Sequence, residues 1–118
     1  MLSISGNTGI FLYLDPTDMR KSFRGLSSLV YAHLGYPESG DYYIFVNRRR
    51  THVKILYWDG DGLALWYKRL EKGQFVLPKH QGRKLMLDRR DLALLLEGVT
   101  PLRKERRFTL KKGDKKFS

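Results

Sequence analysis

Two carboxylates two residues apart, Asp59 and Asp61, lie in the run Asp59-Gly60-Asp61-Gly62 between two aromatic stretches. Their chemistry would be metal binding, because nucleotidyl-transfer sites gather two or three carboxylates around their metal ions. A calcium loop needs oxygen ligands at its first, third and fifth positions, then glycine at the sixth and glutamate at the twelfth. Counted from Asp59, those last three places hold Leu63, Ala64 and Leu70, so the pattern fails beyond the third position. Asp-Gly between β-prone runs is instead a strong hairpin signal, since both residues tolerate positive φ. The hairpin is the preferred reading. A metal-dependent nuclease using Asp59, Asp61 and Asp18 stands behind it as an alternative, and no metal or cofactor is expected.

The second chemistry available is anion binding. Arg48, Arg49 and Arg50 are consecutive, and three guanidiniums on a hairpin tip can fork onto successive phosphates or stand as a solvated turn. Arg20, Lys21 and Arg24 lie at the start of an expected helix, where they oppose its dipole and gain nothing locally. Lys68 and Arg69, with Lys72, follow Trp66 and Tyr67. Basic residues interleaved with aromatics suit single-strand stacking, although aromatics buried in a core give the same pattern. Residues 103–118 carry eight Lys/Arg against two acids, +6 of the chain's formal +11. Arg103, Lys104, Arg106, Arg107, Lys111 and Lys112 are the phosphate-binding candidates there; the plain alternative is a solubilising tail. His33, His52 and His80 have no metal-ligand spacing, and neither a nucleophile elbow nor a phosphate-binding glycine loop occurs.

The elements that must position these residues fit one domain of 118 residues. No cysteine is present, which excludes disulfides and thiolate chemistry and fits a reducing cytoplasm, the expected location. Neither a signal peptide nor a membrane span is expected. The patterning predicts strands over 10–14, 42–47, 52–58 and 63–70, with a short one over 74–77 and a basic loop over 79–84. Thr17 or Asp18 is expected to cap a helix carrying Met19, Phe23, Leu26, Val30 and Leu34 on one face, with Gly35 beyond its end. Gly25 within it implies a close packing contact. Asp88 is expected to cap a second helix over 89–97, stopped by Gly98. The sum is α+β: an antiparallel meander of four to five strands with two helices over residues 1–102, then a mobile basic tail.

The hairpin also predicts cross-strand neighbours. Val53, Ile55, Tyr57, Ala64, Trp66 and Lys68 share one face; Lys54, Leu56, Trp58, Leu63, Leu65, Tyr67 and Arg69 share the other. Both faces are apolar near the turn, so both should be covered, one by the helices and one by the N-terminal segment or a partner. Self-association is therefore a candidate.

Several of these segments together carry a resemblance. Pro16-Thr17-Asp18-Met19-Arg20-Lys21 with Phe23 and Gly25-Leu26, then Lys54-Ile55-Leu56, Trp58-Asp59-Gly60-Asp61-Gly62 and Tyr67-Lys68-Arg69-Leu70-Glu71-Lys72-Gly73 with Phe75, and Leu95-Leu96-Glu97-Gly98, resemble the small TnpB-type, Orf2-like accessory protein of bacterial insertion sequences. That family is distinct from the RNA-guided nuclease sharing its name. The similarity runs over roughly residues 7–99 and leaves the basic tail outside. It implies a role in transposition beside a separate transposase, and it implies no catalytic residue. The combined expectation is a non-enzymatic accessory protein that binds DNA, in particular element ends. The alternative is a subunit that docks the transposase without touching DNA.

Overall fold

The computed structural model describes residues 6–98; the tail candidates Arg103, Lys104, Arg106, Arg107, Lys111 and Lys112 lie outside the described residues. Five strands, β1 (Ile10–Tyr13), β2 (Tyr42–Val46), β3 (His52–Trp58), β4 (Leu63–Arg69) and β5 (Lys84–Leu87), form one sheet in the order β4-β3-β2-β1-β5. Two helices, α1 (Phe23–His33) and α2 (Arg89–Glu97), complete the α+β fold.

The Asp59–Gly62 run is a hairpin turn. Asp59 N–H donates to the Gly62 carbonyl at 2.7 Å, and Gly60 adopts a φ of 77°. The turn pairs Trp58 with Leu63, Tyr57 with Ala64 and Ile55 with Trp66, the predicted neighbours. The strand run β2-β3-β4 is the expected antiparallel meander. The sheet as a whole is mixed, however, because β1 pairs with β2 in parallel and with β5 antiparallel. The cause is α1, which lies between β1 and β2 in the chain. A helical crossover returns the chain to the starting end of the sheet, so the strands on either side of it run the same way. The stretch expected as a strand at 74–77 makes only a single bridge, at Gln74, whereas β5 begins inside the expected basic loop.

Both sheet faces are covered by the chain itself, and the two helices lie on opposite sides. Leu26, Val30 and Leu34 pack with Tyr13, Tyr43, Phe45 and Leu56 on one face. Leu92 and Leu95 of α2, with Phe75, pack on Ile44, Val46, Val53 and Ile55 on the other. The expectation that one face would await the N-terminal segment or a partner is corrected accordingly: that segment contributes β1, inside the sheet. Asp88 caps α2 as expected. Its carboxylate accepts the Asp91 N–H at 2.7 Å, and Asp91 returns the bond to the Asp88 N–H, so two donors without helical partners are satisfied. At the other end Gly98 has a φ of +67°, and a Cβ there would lie 2.7 Å from the Leu70 side chain.

Helix α1 starts later than its apolar spacing predicts. Asp18 does not cap it; the carboxylate instead accepts the Arg20 N–H at 2.9 Å and the Arg20 guanidinium at 2.6 Å. Lys21 N–H closes the turn onto the Asp18 carbonyl. The Met19 and Lys21 carbonyls are taken by the ammonium of Lys54, at 2.7 Å each. The helix accordingly begins at Phe23, whose ring is left exposed, and Met19 belongs to the turn. The atoms nearest to a Cβ at Gly25 belong to the Lys21 side chain, at 3.0 to 3.4 Å.

Lys54 is only 6% exposed, in the middle of β3. Hydrogen bonds from a charged donor each contribute roughly 1.5–3 kcal/mol. Replacing Lys54 with Met keeps the volume and leaves two carbonyls unmet. Lys54→Met should therefore lower unfolding free energy by roughly 2–4 kcal/mol, read as a drop in urea midpoint at constant slope.

Candidate nucleic-acid interface

Residues 47–51 connect β2 to β3 and carry the arginines. Asn47 organises the turn: its Oδ1 accepts the N–H groups of Thr51 and His52 at 2.9 and 3.0 Å, and its Nδ2 donates to Thr51 Oγ1 at 3.1 Å. Thr51 Oγ1 lies 2.7 Å from His52 Nδ1. Asn47 Nδ2 also lies 3.2 Å from His52 Nδ1; an amide NH2 can only donate, so Nδ1 accepts and Nε2 carries the imidazole proton. Arg50 takes a φ of 59°, the positive-φ non-glycine residue of the described chain, and its N–H bonds the Asn47 carbonyl.

The turn is buttressed from the segment after β4. Leu70 N–H donates to the Thr51 carbonyl at 2.9 Å and Phe75 N–H to the Arg50 carbonyl at 2.7 Å. The Gln74 side chain donates to the Arg49 carbonyl at 2.9 Å. Backbone acceptors of the turn are thus engaged inward, while the side chains of Arg48, Arg49 and Arg50 are exposed. Three like charges held on one rigid turn repel each other and need an anion or water between them.

The other cationic candidates divide by sheet face. Arg69 is opposite His52 in the β3–β4 ladder, on the same side as Tyr67, and pairs with Glu71 at 3.2 Å in an exposed contact. Lys68 faces the other way, and its ammonium donates to the Leu96 carbonyl at 2.8 Å, at the C-terminal end of α2. A cation there complements the helix dipole. Trp66 packs against the α2-side core, as a core aromatic should, but Tyr67 is 52% exposed.

Beside the arginine turn lies an open cleft of about 480 Å³. Thr17, Asp18 and Met19 form one wall, and Arg48, Arg49, His52 and Tyr67 line the rest. Thr17 fixes the first wall, since its N–H bonds the Val46 carbonyl at 2.9 Å. Lys54 fixes the wall to the sheet, with its Nζ also 4.7 Å from the Tyr67 ring centre, a cation–π contact. None of this convergence follows from spacing along the chain. Lys54 alone left a trace, as a lone charge inside Val53-Lys54-Ile55-Leu56.

Asp59 and Asp61 lie beyond Trp58, at the far end of β3 from the cleft where Asp18 stands. The strand's seven residues, at about 3.3 Å each, separate them, too far for one metal site. Among the described residues no three His, Asp or Glu side chains gather as metal ligands. No described helix is long and apolar enough to cross a membrane.

Comparison with known proteins supplies the context. A family model described as IS66 Orf2 like protein matches residues 8–106. The chain belongs to this family. The IS66 Orf2-like match begins where the sequence resemblance does and continues into the basic tail, past Arg103 and Lys104 to Arg106. Two relatives come from Sinorhizobium fredii, each described only as an uncharacterized protein. One, y4jC, is 32% identical over 91% of this chain and 92% of its own length; the other, y4hO, is 32% identical over 84% and 87%. No solved structure matches. As an IS66 Orf2-like member, the chain is an insertion-sequence accessory protein associated with transposition.

Two outcomes follow from the site's geometry. The Arg20 contacts hold the Asp18 carboxyl down at about 2, below its ordinary 3.8. The folded group is the stronger acid, so this contact contributes fully above the ordinary value and is lost as pH falls through about 2. A carboxyl titration by NMR should give that midpoint, and Arg20→Ala should raise it toward 3.8. Asn47→Ala removes the acceptor of two turn amides and should cost about 1–3 kcal/mol, with faster hydrogen exchange at Thr51 and His52.

Proposed function

We propose that the protein is a non-catalytic accessory factor of insertion-sequence transposition that grips DNA through its phosphates. Arg48, Arg49 and Arg50 on the buttressed turn, Arg69 beside them, and Arg103, Lys104, Arg106, Arg107, Lys111 and Lys112 of the tail are the contacts. Lys68 is assigned to the end of α2 instead, because its ammonium is already bonded to Leu96.

One observation carries this reading: the chain leaves α2 beside the arginine turn. Gly98 packs on Leu70, and Leu70 bonds Thr51, the neighbour of Arg50. The segment holding +6 of the +11 charge starts five residues after Gly98. A basic turn near Gly98, with a basic segment five residues further along the chain, suits a polyanion that engages both, with the electrostatic term supplying affinity without sequence choice. The turn, held by Asn47, Leu70, Gln74 and Phe75, loses little entropy on contact. The DNA of the mobile element, at its ends, is the polyanion that a transposition factor meets.

A second reading has its own support. Phe23, Tyr31 and Tyr36, on and just after α1, are 44%, 61% and 57% exposed. Exposed aromatics of this kind serve protein interfaces, so this flank is the candidate contact for the transposase of the same element.

Binding of duplex DNA should weaken with a log–log salt slope of about −4 to −5 for four to six phosphates. Deleting residues 103–118 should flatten that slope, and so should Arg48→Ala combined with Arg49→Ala and Arg50→Ala, by roughly 0.9 for each phosphate no longer neutralised. Full affinity in both variants would refute the assignment. Capture of the transposase with no mobility shift at low salt would transfer the function to the aromatic flank.

A further inference from the structure

We infer that the cleft between the 17–19 wall and the arginine turn receives one unpaired nucleotide of the bound DNA, so that the protein distinguishes a strand end or junction from continuous duplex. The inference rests on the DNA-binding reading above and adds to it the form of DNA recognised.

The cleft holds about 480 Å³, inside the range of roughly 300–1,000 Å³ that suits small ligands. Arg48 and Arg49 line it exposed, where a phosphate is met by guanidinium forks. Asp18 also lines it, but its carboxylate is exposed and already held by the Arg20 N–H and guanidinium. A free anion alone would leave the His52 and Tyr67 rings unused. A nucleotide suits both parts of the lining, with its phosphate at the arginines and its base on the rings.

The two rings supply the platform for a base. Tyr67 is 52% exposed, whereas its neighbours on the same sheet face, Leu63 and Leu65, pack into the α1-side core. The ring is open because α1 starts only at Phe23, which leaves the Asp18–Lys21 turn to border this end of the sheet. The His52 ring lies 6.0 Å from that of Tyr67, tilted by 36°, so the two rings adjoin. With Nδ1 accepting from Asn47 Nδ2, the His52 Nε2–H is left as a donor for a base acceptor. Lys54, against the tyrosine ring, holds ring and wall together without ligand. Bases paired and stacked in duplex cannot enter such a cleft; an unpaired base can, and aromatic platforms accept any base.

The test compares two fluorescent DNA hairpins of equal phosphate count, one blunt and one ending in a short unpaired overhang, by anisotropy at fixed salt. The overhang form should bind at least about fivefold more tightly. Tyr67→Ala should abolish that preference while leaving the blunt-duplex affinity unchanged, and Tyr67→Phe should retain it. A photoreactive 5-iododeoxyuridine in the overhang should crosslink to Tyr67 or His52 in the unaltered protein, a readout independent of whether the alanine variant folds. Equal affinity for blunt and overhang DNA, or crosslinks confined to other residues, would overturn the inference while leaving phosphate-mediated DNA binding intact. Absence of binding to either DNA at low salt would overturn both. Tighter binding of an overhang made of RNA than of the DNA one would overturn the assignment to a DNA strand.

Discussion

A single ammonium ties this molecule together. Lys54 emerges from the middle of β3, on the sheet face it shares with Leu56, Leu65 and Tyr67, and directs its charge at the carbonyls of Met19 and Lys21 and at the Tyr67 ring. It has no carboxylate partner among these contacts. Backbone carbonyls and a π face compensate its burial, which makes the arrangement directional: the ammonium accepts only a turn that aims two carbonyls at one point. Asp18 makes that turn by capturing Arg20, and Thr17 moors it to Val46. Sheet, turn and the start of α1 are therefore set by one cation.

The consequences reach the surface. Because the Asp18–Lys21 turn occupies the space that an earlier helix start would fill, α1 begins at Phe23 and stops short of one end of the sheet. That end holds His52 and Tyr67, and the arginine turn rises beside it. A cleft lined by this turn, two aromatic rings and two arginines results. The turn itself is rigid because its inward backbone groups are claimed, by Asn47 from one side and by Leu70, Gln74 and Phe75 from the other. Exposed guanidiniums on a fixed backbone lose less entropy on engaging a phosphate than guanidiniums on a free loop. Lys68, one residue from Tyr67, illustrates how alternation divides labour. It crosses to the opposite face and completes the C-terminal end of α2 rather than joining the arginines of the cleft.

Whatever depends on near neighbours was legible from the chain. Asp59-Gly60-Asp61-Gly62 marked its hairpin because few residues accept the backbone angles of a tight turn, and strand alternation then paired Tyr57 with Ala64 and Ile55 with Trp66. Asp88 and Gly98 bounded α2 because capping and a positive φ are local requirements. The start of α1 was misplaced for a related reason. Met19 and Phe23 have helical spacing, but the carbonyls that would propagate a helix from Asp18 are claimed by a lysine more than thirty residues away.

Residue types and their order settled which candidates there are: three arginines in a turn, a basic C-terminal segment, a lone lysine in an apolar strand, and family membership. They left undetermined which residues would meet. The parallel pairing of β1 with β2, the placement of the helices on opposite faces, and the gathering of Asp18, Arg48, His52 and Tyr67 around one cleft all arise from contacts distant in sequence. Local propensity fixes φ and ψ over a few residues, whereas these meetings depend on which buried surfaces and unmet polar groups find partners once the sheet has formed.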